Sequence, residues 1–274
     1  MDSDFHNNPN LYFKNGIYFA NEQSAISYPE EGNQQCFQLE DDSFWFNHRN
    51  DCIANLVDKF SKNESFFDIG GGNGFFSAML QKKGYRCVLV EPGIAGCLNA
   101  KARGVQDVIC STLLDAKFDE NSIDNIGLFD VVEHIENDIV FLTDNYNYLK
   151  KGGKIYITVP AHQWLFSEED VYAGHYRRYT LRQISDILEG IGFKVKYKTY
   201  FFTFLPIPLF ILNAIPFRLG LKKVKKENHY TKRHSLGDNF ISNILKSILN
   251  FENKRIKNIK TIGFGSSCLI VAEK

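Results

Sequence analysis

The sequence has no surplus of either charge. Lys+Arg and Asp+Glu both number 32 in 274 residues. Nothing in the overall charge therefore draws the chain to nucleic acid, whose binders usually carry a basic surface. There is no C-x-x-C pair either. The six cysteines stand at 36, 52, 87, 97, 110 and 268. They read as reduced packing thiols of a reducing compartment, with neither a zinc frame nor a disulfide frame. Residues 1–10 lack the basic start and apolar core of a signal peptide, so a cytoplasmic location is expected. Internal repeats and low-complexity tracts are missing. The one long apolar run, 201–221, is interrupted by Pro206, Pro208, Asn213 and Pro216, which argues against a membrane-spanning helix.

What is present is core material. Hydrophobic residues make up 44% of the chain and charged ones 23%, enough for a real core. Most of the 24 Phe and 13 Tyr are expected in packing, with a few left to wall a pocket. Residues 1–40 read as an irregular arm, and 43–60 as a helix. Apolar runs predict strands at 65–69, 85–90, 108–110, 123–129, 154–159, 193–200 and 268–272. Helices are expected at 75–83, 98–103, 139–149 and 181–190, and a turn at 151–153. Such alternation implies an α/β fold with a doubly wound, mostly parallel sheet. Ligands then sit at the carboxyl ends of the strands.

Three regions follow from this pattern. An arm and cap helix occupy 1–60, the sheet domain 61–200 plus 263–274, and an insertion 201–262. The insertion carries a basic patch (Lys222, Lys223, Lys225, Lys226, Lys232 and Arg233). A stretch with Leu236, Phe240, Ile241, Ile244, Leu245, Ile248 and Leu249 on one side comes next. It reads as a substrate lid, or else as a peripheral membrane contact through 201–233.

The first strand ends in Asp68, Ile69, Gly70, Gly71, Gly72, Asn73 and Gly74. Glycines let the chain turn sharply and let a ligand approach the backbone. A dinucleotide fingerprint would need glycine where Phe75 stands, and a phosphate loop would need G-K-S/T, which is absent. Glu91 closes the second strand. A carboxylate there can accept hydrogen bonds from both hydroxyls of a ribose.

Together, stretches 67–74, 88–93 and 124–135 resemble the class I S-adenosylmethionine (SAM) dependent methyltransferases. The resemblance covers roughly residues 45–200 and the final strand. It implies SAM as cofactor and a seven-stranded, Rossmann-like sheet whose last strand is antiparallel. It also implies that Asp68, Gly70, Gly71, Gly72 and Gly74 hold the methionine end and Glu91 the ribose. Ser111, Thr112 and Leu113 fall at the adenine position, where Thr112 replaces the usual Asp. Asp130 falls beside the reacting end.

The acceptor side is expected in two segments. Asp130, Val131, Val132, Glu133 and His134 follow the fourth strand. Gly174, His175, Tyr176, Arg177, Arg178, Tyr179 and Thr180 form a loop that resembles one in bacterial small-molecule and lipid- or glycan-associated methyltransferases. His134 and His175 are the candidate bases, since a neutral hydroxyl acceptor must lose a proton. Trp45, Tyr172, Tyr176 and Arg177 are candidate substrate contacts. Thr180 is a candidate helix cap. No metal is expected. The alternative is a divalent cation on Asp130, Glu133 and His134, which share a face if the segment is helical. The expected activity is methyl transfer to oxygen of a small or lipid/glycan-linked metabolite. The alternatives are an RNA methyltransferase and a non-catalytic SAM-fold protein.

Overall fold

A computed structural model describes residues 5–22, 37, 39–61, 64–221 and 240–274. One mixed sheet of nine strands runs through it, in the order β1-β2-β5-β4-β3-β6-β7-β9-β8. The strands are β1 (Leu11–Lys14), β2 (Ile17–Ala20), β3 (Phe66–Ile69), β4 (Cys87–Val90), β5 (Asp107–Cys110), β6 (Ile123–Phe129), β7 (Leu149–Pro160), β8 (Lys194–Phe201) and β9 (Ser267–Glu273). Strands β5, β4, β3, β6 and β7 pair in parallel, and β9 runs antiparallel to both β7 and β8. The expected seven-stranded sheet with its antiparallel last strand is therefore present, widened by two strands.

Those two strands come from the arm that reads as irregular. Asn15, at φ 52°, and Gly16 turn β1 back onto β2, and β2 then pairs with β5. Four-residue strands at an edge leave little periodicity to detect. The turn expected at 151–153 is likewise absorbed into β7, which continues through Gly152 and Gly153.

Side chains alternate across the pleat. Phe67, Ile69, Val88, Val90, Ile126 and Leu128 pack on one face, against Leu142 of α4 (Asp138–Tyr148) and against Ile184 and Leu188 of α6 (Leu181–Ile191). Phe66, Cys87 and Tyr156 pack on the other. There they meet Ile53, Leu56 and Val57 of α1 (Phe44–Phe60), Leu80 of α2 (Phe75–Lys82), and Leu249 and Ile256 of α9 (Phe240–Lys257). Among the described residues the other α-helices are α3 (Ile94–Ala102), α5 (Glu168–Ala173), α7 (Pro206–Leu209) and α8 (Ile215–Arg218). The five cysteines among the described residues are free and buried; Cys36 lies outside them.

The apolar run folds as short pieces. A π-helical turn, Phe210–Ala214, joins α7 to α8. Among the described residues no helix is long and apolar enough to cross a membrane. The basic patch and Leu236 lie outside the described residues. Helix α9 is tied to α1 through a buried acid. Glu252 accepts from His48 Nε2 at 2.9 Å, from the Phe202 amide at 2.9 Å, and from the Thr203 amide and hydroxyl at 2.7 and 2.6 Å.

Register positions the site. Asp68 lies opposite Leu89 and Gly127, and Ile69 opposite Val90 and Leu128. Strands β3, β4 and β6 thus end together, and their loops share one edge of the sheet.

Candidate active site

The loop after β3 is shaped by close approach. A Cβ on Gly71 would lie 2.4 Å from Leu89 Cδ1 and 2.7 Å from Asp68 Oδ2. Gly74 sits at φ 71° as the N-cap of α2, a conformation that costs a non-glycine residue about 1–2 kcal/mol. A Cβ there would also meet Ala100 at 2.7 Å. On α3, Gly96 lets the helix close on the loop, since its Cβ would fall 2.8 Å from the Gly72 carbonyl oxygen. Gly96 belongs to no motif, and the sequence carried no signal for it.

Asp68 is buried and accepts from the Ser77 hydroxyl at 2.7 Å. Burial raises its pKa to about 6, against the lowering effects of Ser77 and Arg49. Glu91 Oε2 accepts from the Gly72 amide at 3.0 Å, and Oε1 accepts from the Gly93 amide at 2.8 Å. Glu91 therefore staples the loop. Each oxygen keeps a lone pair for a further donor. A glycine cradle in which a single Cβ would collide, faced by a carboxylate with spare acceptor capacity, fits the methionine and ribose parts of SAM. At the position that the resemblance gives to adenine, Thr112 Oγ1 accepts from the Asp115 amide at 3.0 Å and Ser111 Oγ donates to the Thr112 carbonyl at 2.7 Å. Leu113 is packed in the core.

Arg49, on α1, bears no motif, yet it stands at the centre of this edge. Its Nη1 pairs with Asp130 Oδ2 at 2.6 Å, and its Nε donates to Asn50. The guanidinium lies 5.0 Å from the Trp45 ring centroid and 5.3 Å from that of Phe46. Asp130, at φ 57°, also accepts from Thr158. Its carboxylate is thus committed to Arg49, and the cation set of Asp130, Glu133 and His134 does not assemble as the sequence suggested. Segment Val132–His134 is a short 3-10 turn, where the face-sharing expected of a regular helix is lost.

The two candidate histidines do meet. Their rings stand edge to face at 4.6 Å between centroids. Gly174, at φ 80°, ends α5 and turns the chain into His175, while the Tyr176 amide donates to the Glu133 carbonyl at 2.8 Å. His175 Nδ1 lies 2.9 Å from Asp170 Oδ1. Asp170 is buried, and Arg178 grips it through Nε at 2.8 Å and Nη2 at 3.0 Å. Burial alone would raise the Asp170 pKa, but the His175 bond and the Arg178 charge hold it below its ordinary value. His134 is lowered to about 4, first by burial and then by His175. Glu133 is raised well above the carboxylate range by burial and by Asp130.

Residues 45–198 match the family model described as a methyltransferase domain. The chain belongs to this methyltransferase family. A protein of Mycolicibacterium smegmatis, described as a probable S-adenosylmethionine-dependent methyltransferase, is 20% identical over 171 residues, covering 61% of this chain and 66% of that protein. A SAM-dependent methyltransferase of Thermotoga maritima superposes with a TM-score of 0.56 at 16% identity, covering 89% of this chain and 95% of the other. Phosphoethanolamine N-methyltransferase 2 of Haemonchus contortus, solved with S-adenosyl-L-methionine, gives 0.52 at 19%, covering 91% and 58%. These likenesses support SAM as the cofactor of the methyltransferase, in keeping with the glycine cradle.

Two of the methyltransferase's four expected substrate contacts, Trp45 and Arg177, are engaged within its own structure. Trp45 stacks on Phe202 at 5.6 Å with 5° between planes. Arg177 pairs with Asp138 at 2.9 Å and donates to the Glu136 carbonyl at 2.7 Å. Tyr172 and Tyr176 stay exposed. Thr180 caps α6, accepting from the Gln183 amide. An aromatic cluster lies just past β7. His162 stacks near Trp164, Tyr200 and Phe264, at 5.6, 4.9 and 5.5 Å between centroids.

Proposed function

We propose that this methyltransferase methylates an oxygen of a small or lipid/glycan-linked acceptor. SAM, when bound, supplies an electrophilic methyl group that needs no further activation. The protein's task is then to align the acceptor, exclude water and deal with the acceptor's proton. The observation that carries the reading is the His175–Asp170 contact of 2.9 Å beside His134. A hydroxyl acceptor must lose a proton as it attacks, whereas a neutral amine attacks first. An imidazole held in place by a buried carboxylate suits the first case.

An apolar moiety on the acceptor is supported by the surroundings. Trp164 meets Phe210 at 5.2 Å, which joins the aromatic cluster to the proline-broken helices. Ile207, Ile211, Leu212, Leu219 and Leu221 of that stretch are exposed. In this reading the stretch serves as a wall for the acceptor and as a peripheral contact with lipid. The domain roles expected for 1–60 and 201–262 belong to the same proposal.

A donor with a labelled methyl group, incubated with cell extract, tests it. The expected product is a methyl ether or ester in the small-molecule or lipid fraction, with the label on oxygen by NMR. Label on nitrogen, or in nuclease-sensitive material, would overturn the reading.

A further inference from the structure

We propose that Glu133, His134 and His175 form a binding site for one divalent first-row transition-metal ion. Among the described residues each of the three offers a ligand atom, and these atoms lie within 4.8 Å of one another. Two segments distant in sequence supply them, and the bond from the Tyr176 amide to the Glu133 carbonyl fixes their approach.

Two features make the cluster a site rather than a chance meeting. First, Glu133 is 1% exposed, and neither carboxyl oxygen has a hydrogen-bond partner among the described residues. A buried polar group left unpaired is costly, and a cation among the three side chains would engage the carboxylate. Second, Asp170 engages Nδ1 of His175, which leaves Nε2 to offer its lone pair. A carboxylate behind a histidine is the usual support of a metal ligand. Asp170 is itself fixed by Arg178 and by the amide and hydroxyl of Ser167.

The donor set decides the class of ion. Two imidazoles and one carboxylate suit zinc, manganese, iron or cobalt. Magnesium and calcium prefer all-oxygen surroundings. Three protein ligands leave coordination positions open, as in metal sites that receive a substrate. An open position would take the acceptor oxygen, and the ion would ease the loss of its proton in place of the His175 imidazole, whose Nε2 it occupies. That role, unlike the binding itself, rests on the oxygen-methylation reading.

The alternative is a neutral, buried Glu133 packed beside two histidines. Glu133→Gln separates the two cases, because it keeps the shape and removes the negative ligand. His175→Asn is the second variant, and circular dichroism checks that both fold. The chain is stripped with a chelator and titrated calorimetrically with zinc or manganese alone, and its cobalt complex is followed by visible absorption. We expect one equivalent per chain, at least about tenfold weaker binding in each variant, and a cobalt spectrum that both variants lose. No saturable binding, or binding unchanged in both folded variants, would overturn the proposal. SAM is titrated separately into the stripped protein. Absence of SAM heat would sink the functional reading and leave the metal result to stand or fall alone.

Discussion

At the expected donor side, between β3, β4 and α3, the tight approaches are made by glycine backbone. Gly71, Gly74 and Gly96 are places where a single Cβ would collide, and Glu91 holds the Gly72 and Gly93 amides. On the acceptor side, past β6 and β7, the work falls to side chains reaching across the sequence. Arg49 meets Asp130, Arg178 grips Asp170, and Asp170 steadies His175 beside His134. The glycines of the 70–74 loop leave a compact trace in the sequence, because only glycine fits there, while Gly96 stands outside it. A network made of side chains leaves scattered residues, each of which has commoner uses elsewhere.

This contrast can be broken by substitution. The largest effect is expected for His175→Ala, with turnover falling by about 10²–10⁴-fold in a steady-state assay. Next comes Gly71→Ala, whose new methyl displaces Leu89 or Asp68. It should weaken SAM binding about 100-fold and cost about 1–3 kcal/mol in chemical denaturation. Activity lost only in proportion to stability would deny the loop its special role.

Asp68→Asn sharpens the comparison through pH. The folded pKa of Asp68 is raised from 3.8 to about 6. Its favourable contribution is therefore complete below the unfolded value and is lost as pH rises through the folded one. Above that, the buried charge is a cost that asparagine removes. Relative to the wild type, the ligand-free variant should gain about 1–3 kcal/mol between pH 4 and pH 8 in urea titrations, while binding SAM less tightly. An offset independent of pH would mean that Asp68 is solvated. The smallest effect is expected for Thr180→Ala. Loss of the cap should cost about 1 kcal/mol with turnover unchanged, and a turnover defect beyond that would bring Thr180 into the acceptor side.

The central sheet was legible because its strands are short apolar runs between glycine turns. The glycine loop after β3 could be named because Phe75 and Glu91 separate it from other glycine loops. Strands β1 and β2 were not, since Tyr12 and Phe13 are exposed and alternate weakly. On the acceptor side, His134 and His175 could be named but not joined, because the amide of Tyr176 makes their contact through the backbone. Arg49 gave no warning of its pairing. It lies in a helix whose pattern predicts only an apolar face, and its partner Asp130 is far away in the chain.

The most direct test is calorimetric titration of SAM into His175→Ala and Gly71→Ala beside the wild type. Donor binding within about twofold of wild type in His175→Ala, and lost in Gly71→Ala, is the predicted result. Donor binding lost in a folded His175→Ala but kept in Gly71→Ala would contradict the division between a backbone cradle for the cofactor and a side-chain network for the acceptor.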